Sequence, residues 1–166
     1  MLMKNMGRLE EAEDQYKLAL EADPKHVITH YNYGILLTNM GRLEEAEDQY
    51  KLALEADPKD VSTHLNYGIL LDELDRNKEA EEQFKITIKI DSKHPNIHGA
   101  YGLLLLKMNS EKKAIKETKI ASRLCGEKGD KIKEHLALAC LGSASRTSLY
   151  CSSASSLRPI SSRRFP

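Results

Sequence analysis

Three histidines stand 34 residues apart, His30, His64 and His98. Imidazole is the commonest side-chain ligand of zinc, so the row first suggests a metal. Zinc holds its nitrogen ligands at about 2 Å. Equivalent residues on adjacent packed helices stand roughly 8–10 Å apart, too far for neighbours to share one ion. The row therefore reads as packing, with no metal expected. His26 and His94 fall at junctions and read as loop or cap residues. Carboxylates cluster at Glu44, Glu45, Glu47 and Asp48 and again at Glu79, Glu81 and Glu82. Their spacing places them on polar helix faces, where a solvated surface is expected rather than an acid/base pair. There is no GxxxxGK[ST], GxGxxG or HExxH, the patterns that cradle phosphate, dinucleotide or zinc. Cys125, Cys140 and Cys151 show no CxxC spacing and no disulfide framework. No catalytic residue and no cofactor are expected.

What positions these residues is a repeat. NMGRLEEAEDQYKLALEADPK occupies 5–25 and recurs unchanged at 39–59. Weaker copies follow at the same 34-residue offset, from Leu74 and from Met108. A fixed period of this size is the signature of a stacked repeat architecture. Leu9, Ala12, Tyr16, Ala19 and Leu20 make one apolar stripe at helical spacing. Acids crowd that helix's first turns, where the dipole favours them, and Glu13 with Lys17 forms a favourable i,i+4 pair. Asp23-Pro24 stops the helix, because proline lacks an amide donor and disfavours helix in the residue before it. Helices are expected at about 8–22, 27–39, 43–56, 61–73, 76–90, 97–107 and 111–124. Gly34, Gly68 and Gly102 fall inside helices at one repeat position. Mid-helix glycine costs about 1 kcal/mol relative to Ala, so the recurrence predicts a contact too close for a Cβ. Gly41 opens a tight turn between antiparallel neighbours. The chain opens inside a unit, so its first repeat lacks most of its first helix. Either it is a piece of a longer product or this end pairs with something, since solenoid ends are normally capped.

The pattern resembles the tetratricopeptide repeat. Tyr33-Gly34, Leu37, Ala46, Tyr50, Ala53 and Pro58 occupy its signature positions. Tyr67-Gly68, Leu71, Ala80, Phe84 and Thr87 follow, then Tyr101-Gly102, Leu105, Ala114, Thr118 and Ala121. Ser92 replaces the expected proline, and Cys125-Gly126 replaces Asp-Pro. The resemblance covers about 1–125. It implies an all-α, right-handed superhelical solenoid of antiparallel helix pairs, about 3.5 repeats plus a C-terminal helix. It also implies that the first helix of each unit lines a concave groove. The residues it points to are Ile28, Tyr31, Asn32, Ile35 and Asn39; Leu65, Asn66, Ile69 and Glu73; and Leu103, Leu106 and Lys107. Tyr31, Ile35, Leu65, Ile69, Leu103 and Leu106 form an apolar strip. Asn32 and Asn66 could each offer a donor and an acceptor to a peptide backbone, or bond between neighbouring helices. One subgroup of the family clamps carboxylates with Lys, Arg and Asn. Here Tyr31, Leu65, Gly99 and Ala100 stand where the basic residues would be, so the groove is expected to suit a peptide or helix with apolar anchors.

The partition expected is a solenoid over 1–142, with units at 1–26 (partial), 27–60, 61–94 and 95–126, then a closing helix at 127–142 and a disordered tail at 143–166. The tail holds nine Ser, four Arg and no acid, a composition that buries too little apolar area to offset its ordering entropy. Removing it leaves 21 basic against 25 acidic residues. A mildly acidic body argues against nucleic acid. No apolar run reaches a membrane span, and the first residues lack a signal peptide's apolar core. With no disulfide framework, a cytoplasmic chain is expected. The function expected is a non-catalytic scaffold that binds a protein or peptide partner. The alternatives are a self-associating, homo-oligomeric module and a regulatory fragment of a larger protein.

Overall fold

The computed structural model describes residues 2–125, with side chains from Arg8 onward. Among them are seven helices: α1 (Leu2–Ala22), α2 (Val27–Asn39), α3 (Leu43–Ala56), α4 (Val61–Glu73), α5 (Asn77–Ile90), α6 (Pro95–Lys107) and α7 (Glu111–Cys125). The expected closing helix and tail lie outside the described residues. Helices α2/α3, α4/α5 and α6/α7 pack as pairs, and each pair leans on the next through α3·α4 and α5·α6. The described residues form an all-α superhelical solenoid of antiparallel helix pairs, as the period predicts.

The turns inside the pairs are alike. The Arg42, Arg76 and Ser110 amides reach back to the carbonyls of Leu37, Leu71 and Leu105 at 3.0, 2.9 and 2.8 Å. Bonds from Gly41 to Thr38, Asp75 to Asp72 and Asn109 to Leu106 complete the same closure, the Schellman pattern. It needs a left-handed residue. Gly41 (φ 76°), Asp75 (φ 58°) and Asn109 (φ 56°) supply it, the last two being the residue types that tolerate that region after glycine. Gly7 occupies the corresponding place but makes no turn. Helix α1 runs through it from Leu2, six residues before the expected start. Each residue added to a helix gains a backbone bond, and no described residue precedes α1 for a turned-back segment to pack upon.

The mid-helix glycines sit where the helices of a pair touch. A Cβ on Gly34 would lie 2.6 Å from Tyr50 Cε1, on Gly68 2.9 Å from Phe84 Cε1, and on Gly102 2.8 Å from Thr118 Cγ2. Tyr50 and Phe84 are 2% and 1% exposed and cannot swing aside. Leu37, Leu71 and Leu105 and then Ala46, Ala80 and Ala114 fill the rest of each pair, all within 1% of complete burial. At the entry to the first helices, His26 and Asp60 accept from the Thr29 and Thr63 amides at 3.2 and 2.7 Å. His94 holds the same capping position without a side-chain bond to the helix, and the Ile97 amide bonds to the His94 backbone carbonyl at 3.3 Å.

Overpacking of this kind costs typically about 1–3 kcal/mol, against about 1 kcal/mol that Ala gains in helix propensity. Gly34→Ala should therefore destabilise the fold by about 1 kcal/mol or more. Asn109→Gly should stabilise it by about 1 kcal/mol by relieving the left-handed strain. Urea unfolding followed by circular dichroism checks both signs.

Candidate partner-binding surface

The three histidines are part of the packing. Each is buried, at 5%, 6% and 3% exposure for His30, His64 and His98. Their Nε2 atoms lie 3.0 Å from the carbonyls of Pro24, Pro58 and Ser92. Their Nδ1 atoms lie 2.8 Å from Gln49, 2.8 Å from Gln83 and 2.7 Å from Glu117. Each ring thus ties its helix to the junction before it and to the partner helix. Among the described residues no His, Cys, Asp or Glu cluster has the makings of a metal site.

The joints between units are polar at one edge and aromatic beneath. Glu13 accepts from the Tyr33 hydroxyl at 2.9 Å and from Arg42 Nη1 at 2.6 Å. Glu47 repeats this with Tyr67 at 2.9 Å and Arg76 at 2.6 Å. Each carboxylate also meets a lysine one turn on, Lys17 at 2.8 Å and Lys51 at 2.9 Å. Arg42 and Arg76 fork onward to Glu45 and Glu79. Glu81 keeps Tyr101 and Lys85, but Ser110 stands where arginine would. Under each hydroxyl the tyrosine ring packs on the preceding unit: Tyr33 on Tyr16, Tyr67 on Tyr50, Tyr101 on Phe84, at centroid separations of 5.9, 6.4 and 6.1 Å. Glu47 and Glu13 are each only 7% exposed. The solvated reading of Glu47 is therefore corrected: the next unit's tyrosine and arginine cover it. The signal was present in the sequence, as Glu13/Glu47/Glu81, Tyr33/Tyr67/Tyr101 and Arg42/Arg76 all recur at 34 residues.

These joints set how the first helices face one another. Helix α2 touches α4 and α4 touches α6, whereas the second helices make no mutual approach among the described residues. The first-helix side is thus the tight side of the stack. Along it Tyr31, Ile35, Leu65, Ile69 and Leu106 pack against the core with one side still reachable, and Leu103 is half-buried beside them. Ile28 stands 62% exposed. A depression of about 180 Å³ is lined by Val27, Ile28, Tyr31, Asn32, Asp60 and Ser62. Asn39 and Glu73 are exposed at the other end of their helices. Although its surface is open to solvent, partial dehydration by the packed chain around it, and then Asp72, raise the Glu73 carboxyl above the usual range.

Two of the polar candidates turn inward. Asn66 Nδ2 donates to the Tyr31 hydroxyl at 2.9 Å and to the Ser62 carbonyl at 3.1 Å. This is the interhelical alternative, and it ties α4 to α2. Lys107 Nζ reaches the Asp72 carbonyl and carboxylate at 2.8 Å each and Asp75 at 2.6 Å. Its ammonium is dehydrated, yet Asp72 and Asp75 raise its pKa. The Asn32 side chain makes no hydrogen bond among the described residues.

Residues 5–64 match the family model of the tetratricopeptide repeat. A MamA crystal structure superposes with a TM-score of 0.72 at 20% identity, over 84% of this chain and 81% of that one. MamA of Desulfovibrio magneticus RS-1 gives 0.65 at 18% identity, over 74% and 69%. PilF of Pseudomonas aeruginosa gives 0.69 at 22% identity, over 84% and 67%. No curated protein matches the chain in sequence. The described residues have the fold of an α-solenoid. Residues 5–64 carry the tetratricopeptide repeat, and members of that family are in general interaction scaffolds rather than catalysts.

The joint carboxylates make the fold acid-sensitive. Lys17, then Arg42, hold Glu13 at about 2, below the ordinary 4.5. Against its burial, Lys51, Arg76 and Tyr67 lower Glu47. A carboxyl depressed on folding contributes stability that is present above its unfolded pKa and lost as pH falls through the folded one. The melting temperature should therefore drop as pH falls from 4.5 toward 2. The double variant Glu13→Gln, Glu47→Gln should melt lower at neutral pH and lose less on acidification. Thermal melts across pH read both effects.

Proposed function

We propose that this chain is a non-catalytic scaffold that captures a peptide or helix of a partner protein along the faces of α2, α4 and α6. The observation that carries the reading is the reachable apolar strip on the tight side of the stack, running from Ile28 through Ile35, Leu65 and Ile69 to Leu103 and Leu106. An apolar face recognises an amphipathic segment through anchors one helical turn apart. The hydrogen bond from Asn66 to Tyr31 and the Lys107 pairs with Asp72 and Asp75 support it indirectly. They stiffen the groove before any partner arrives, which reduces the ordering that binding must supply. Asn32, Asn39 and Glu73 then serve as polar contacts at the rim. No helix among the described residues is long and apolar enough to cross a membrane. We place the scaffold in the cytoplasm, with no nucleic acid and no membrane among its partners.

Affinity capture with mass spectrometry should yield partners retained by the native chain. Ile28→Glu, at an exposed site that leaves folding intact, should weaken the retained interaction by about tenfold, or ~1.4 kcal/mol. Leu65→Glu with Leu103→Glu should abolish it. Lys59→Glu, in a loop outside the groove, should leave it unchanged. Retention by all three variants alike would remove the groove assignment.

A further inference from the structure

The second helices carry a pattern that the groove does not use. On α1, α3, α5 and α7, five of the positions that recur at the 34-residue offset and face away from the core change in character along the stack. One is apolar and reachable: Leu18 is 59% exposed, Leu52 40% and Ile86 36%, with Ile120 half-buried. The other four are charged, and all are exposed. Helix α1 has Glu10, Glu11, Asp14 and Glu21, and α3 has Glu44, Glu45, Asp48 and Glu55, four acids and no base each. Helix α5 is balanced, with Lys78, Glu79, Glu82 and Lys89. Helix α7 is inverted, with Lys112, Lys113, Lys116 and Arg123. The formal charge at these four positions thus runs −4, −4, 0, +4 along the stack; the exposed row Lys17, Lys51, Lys85 and Lys119 adds one positive charge to every helix and leaves the gradient unchanged. Glu45 and Glu79 already hold Arg42 and Arg76, so α1 and α7 are the strongest opposed poles.

We infer that this outer face pairs with the same face of a second copy, antiparallel about a two-fold axis between α3 and α5. A two-fold pairing uses one patch twice. It sets α1 against the partner's α7, −4 against +4, and α3 against the partner's α5, −4 against 0. A parallel pairing sets acid on acid. A polyanion would fit α7 alone and be repelled by α1 and α3, and a polycation the reverse. Only a partner with the same gradient reversed satisfies the whole row, and another copy supplies it. The Leu18–Leu52–Ile86 row adds apolar area to a contact whose charges set its direction. Both grooves stay open, so the pairing does not depend on the groove reading.

Light scattering of the full chain decides it. At about 50 mM salt the mass should be twice the 18.7 kDa of one chain, and at about 500 mM, where screening is short-ranged, it should halve. Reversing α7 (K112E, K113E, K116E, R123E) or α1 (E10K, E11K, D14K, E21K) should give monomers that keep their circular dichroism. Mixing the two variants should restore the doubled mass. A native chain of single mass at low salt overturns the inference, whether its own arginine-bearing tail or nothing covers the acidic half. Reversal variants that stay dimeric alone overturn it too, because the contact then lies on another face.

Discussion

The structure depends on a buried carboxylate at each of its first two joints between units. Glu13 and Glu47 lie in the seams where the second helix of one unit meets the first helix of the next. A carboxylate so placed is stable only if charged partners replace the lost water. Tyrosine and arginine from the following unit and lysine from the carboxylate's own helix do so. The same tyrosines lay their rings on the aromatic residue of the unit before. Apolar stacking thus sets the distance of the joint, and the fork of hydrogen bonds sets its angle. At the last described unit the pattern ends. Ser110 replaces the arginine, and Ile115, 51% exposed, stands where the carboxylate would be.

Joint angle decides the two surfaces. With the first helices in touch and the second helices apart, one side of the stack is narrow and apolar and the other is broad and charged. The narrow side gathers half-buried aliphatic side chains from three units into one strip. The broad side leaves its outward positions unconstrained by packing, and there the sequence alternates least in shape and most in charge. Repetition of the fold and divergence of its surfaces therefore come from the same geometry.

Much of this was legible before any coordinates. Helices α2, α3 and α4 begin and end where the apolar period and the Asp-Pro and Gly breaks place them. The glycine contacts follow from their recurrence, and their aromatic partners are visible in the structure. Other features needed the neighbouring unit. Glu47 looks solvated on its own helix, because what buries it is Tyr67 and Arg76, 20 and 29 residues away. Asp75 and Asn109 carry the same left-handed turn as Gly41 without announcing it by type. The groove candidates could be numbered from the family pattern, but which of them turn inward could not. The Asn66–Tyr31 and Lys107–Asp72 bonds each span 35 residues and depend on how two units sit together.

The central claim is that the carboxylate joints bind the units into one cooperative body with one continuous groove. Native-state hydrogen exchange tests it most directly, since it resolves which segments open together. In the native chain the amides of α2–α3 and α4–α5 should lose protection at one common free energy. In Glu47→Ala, whose change removes the acceptor shared by Tyr67 and Arg76, α2–α3 and α4–α5 should open at separate free energies. An unchanged common opening in Glu47→Ala would contradict the account.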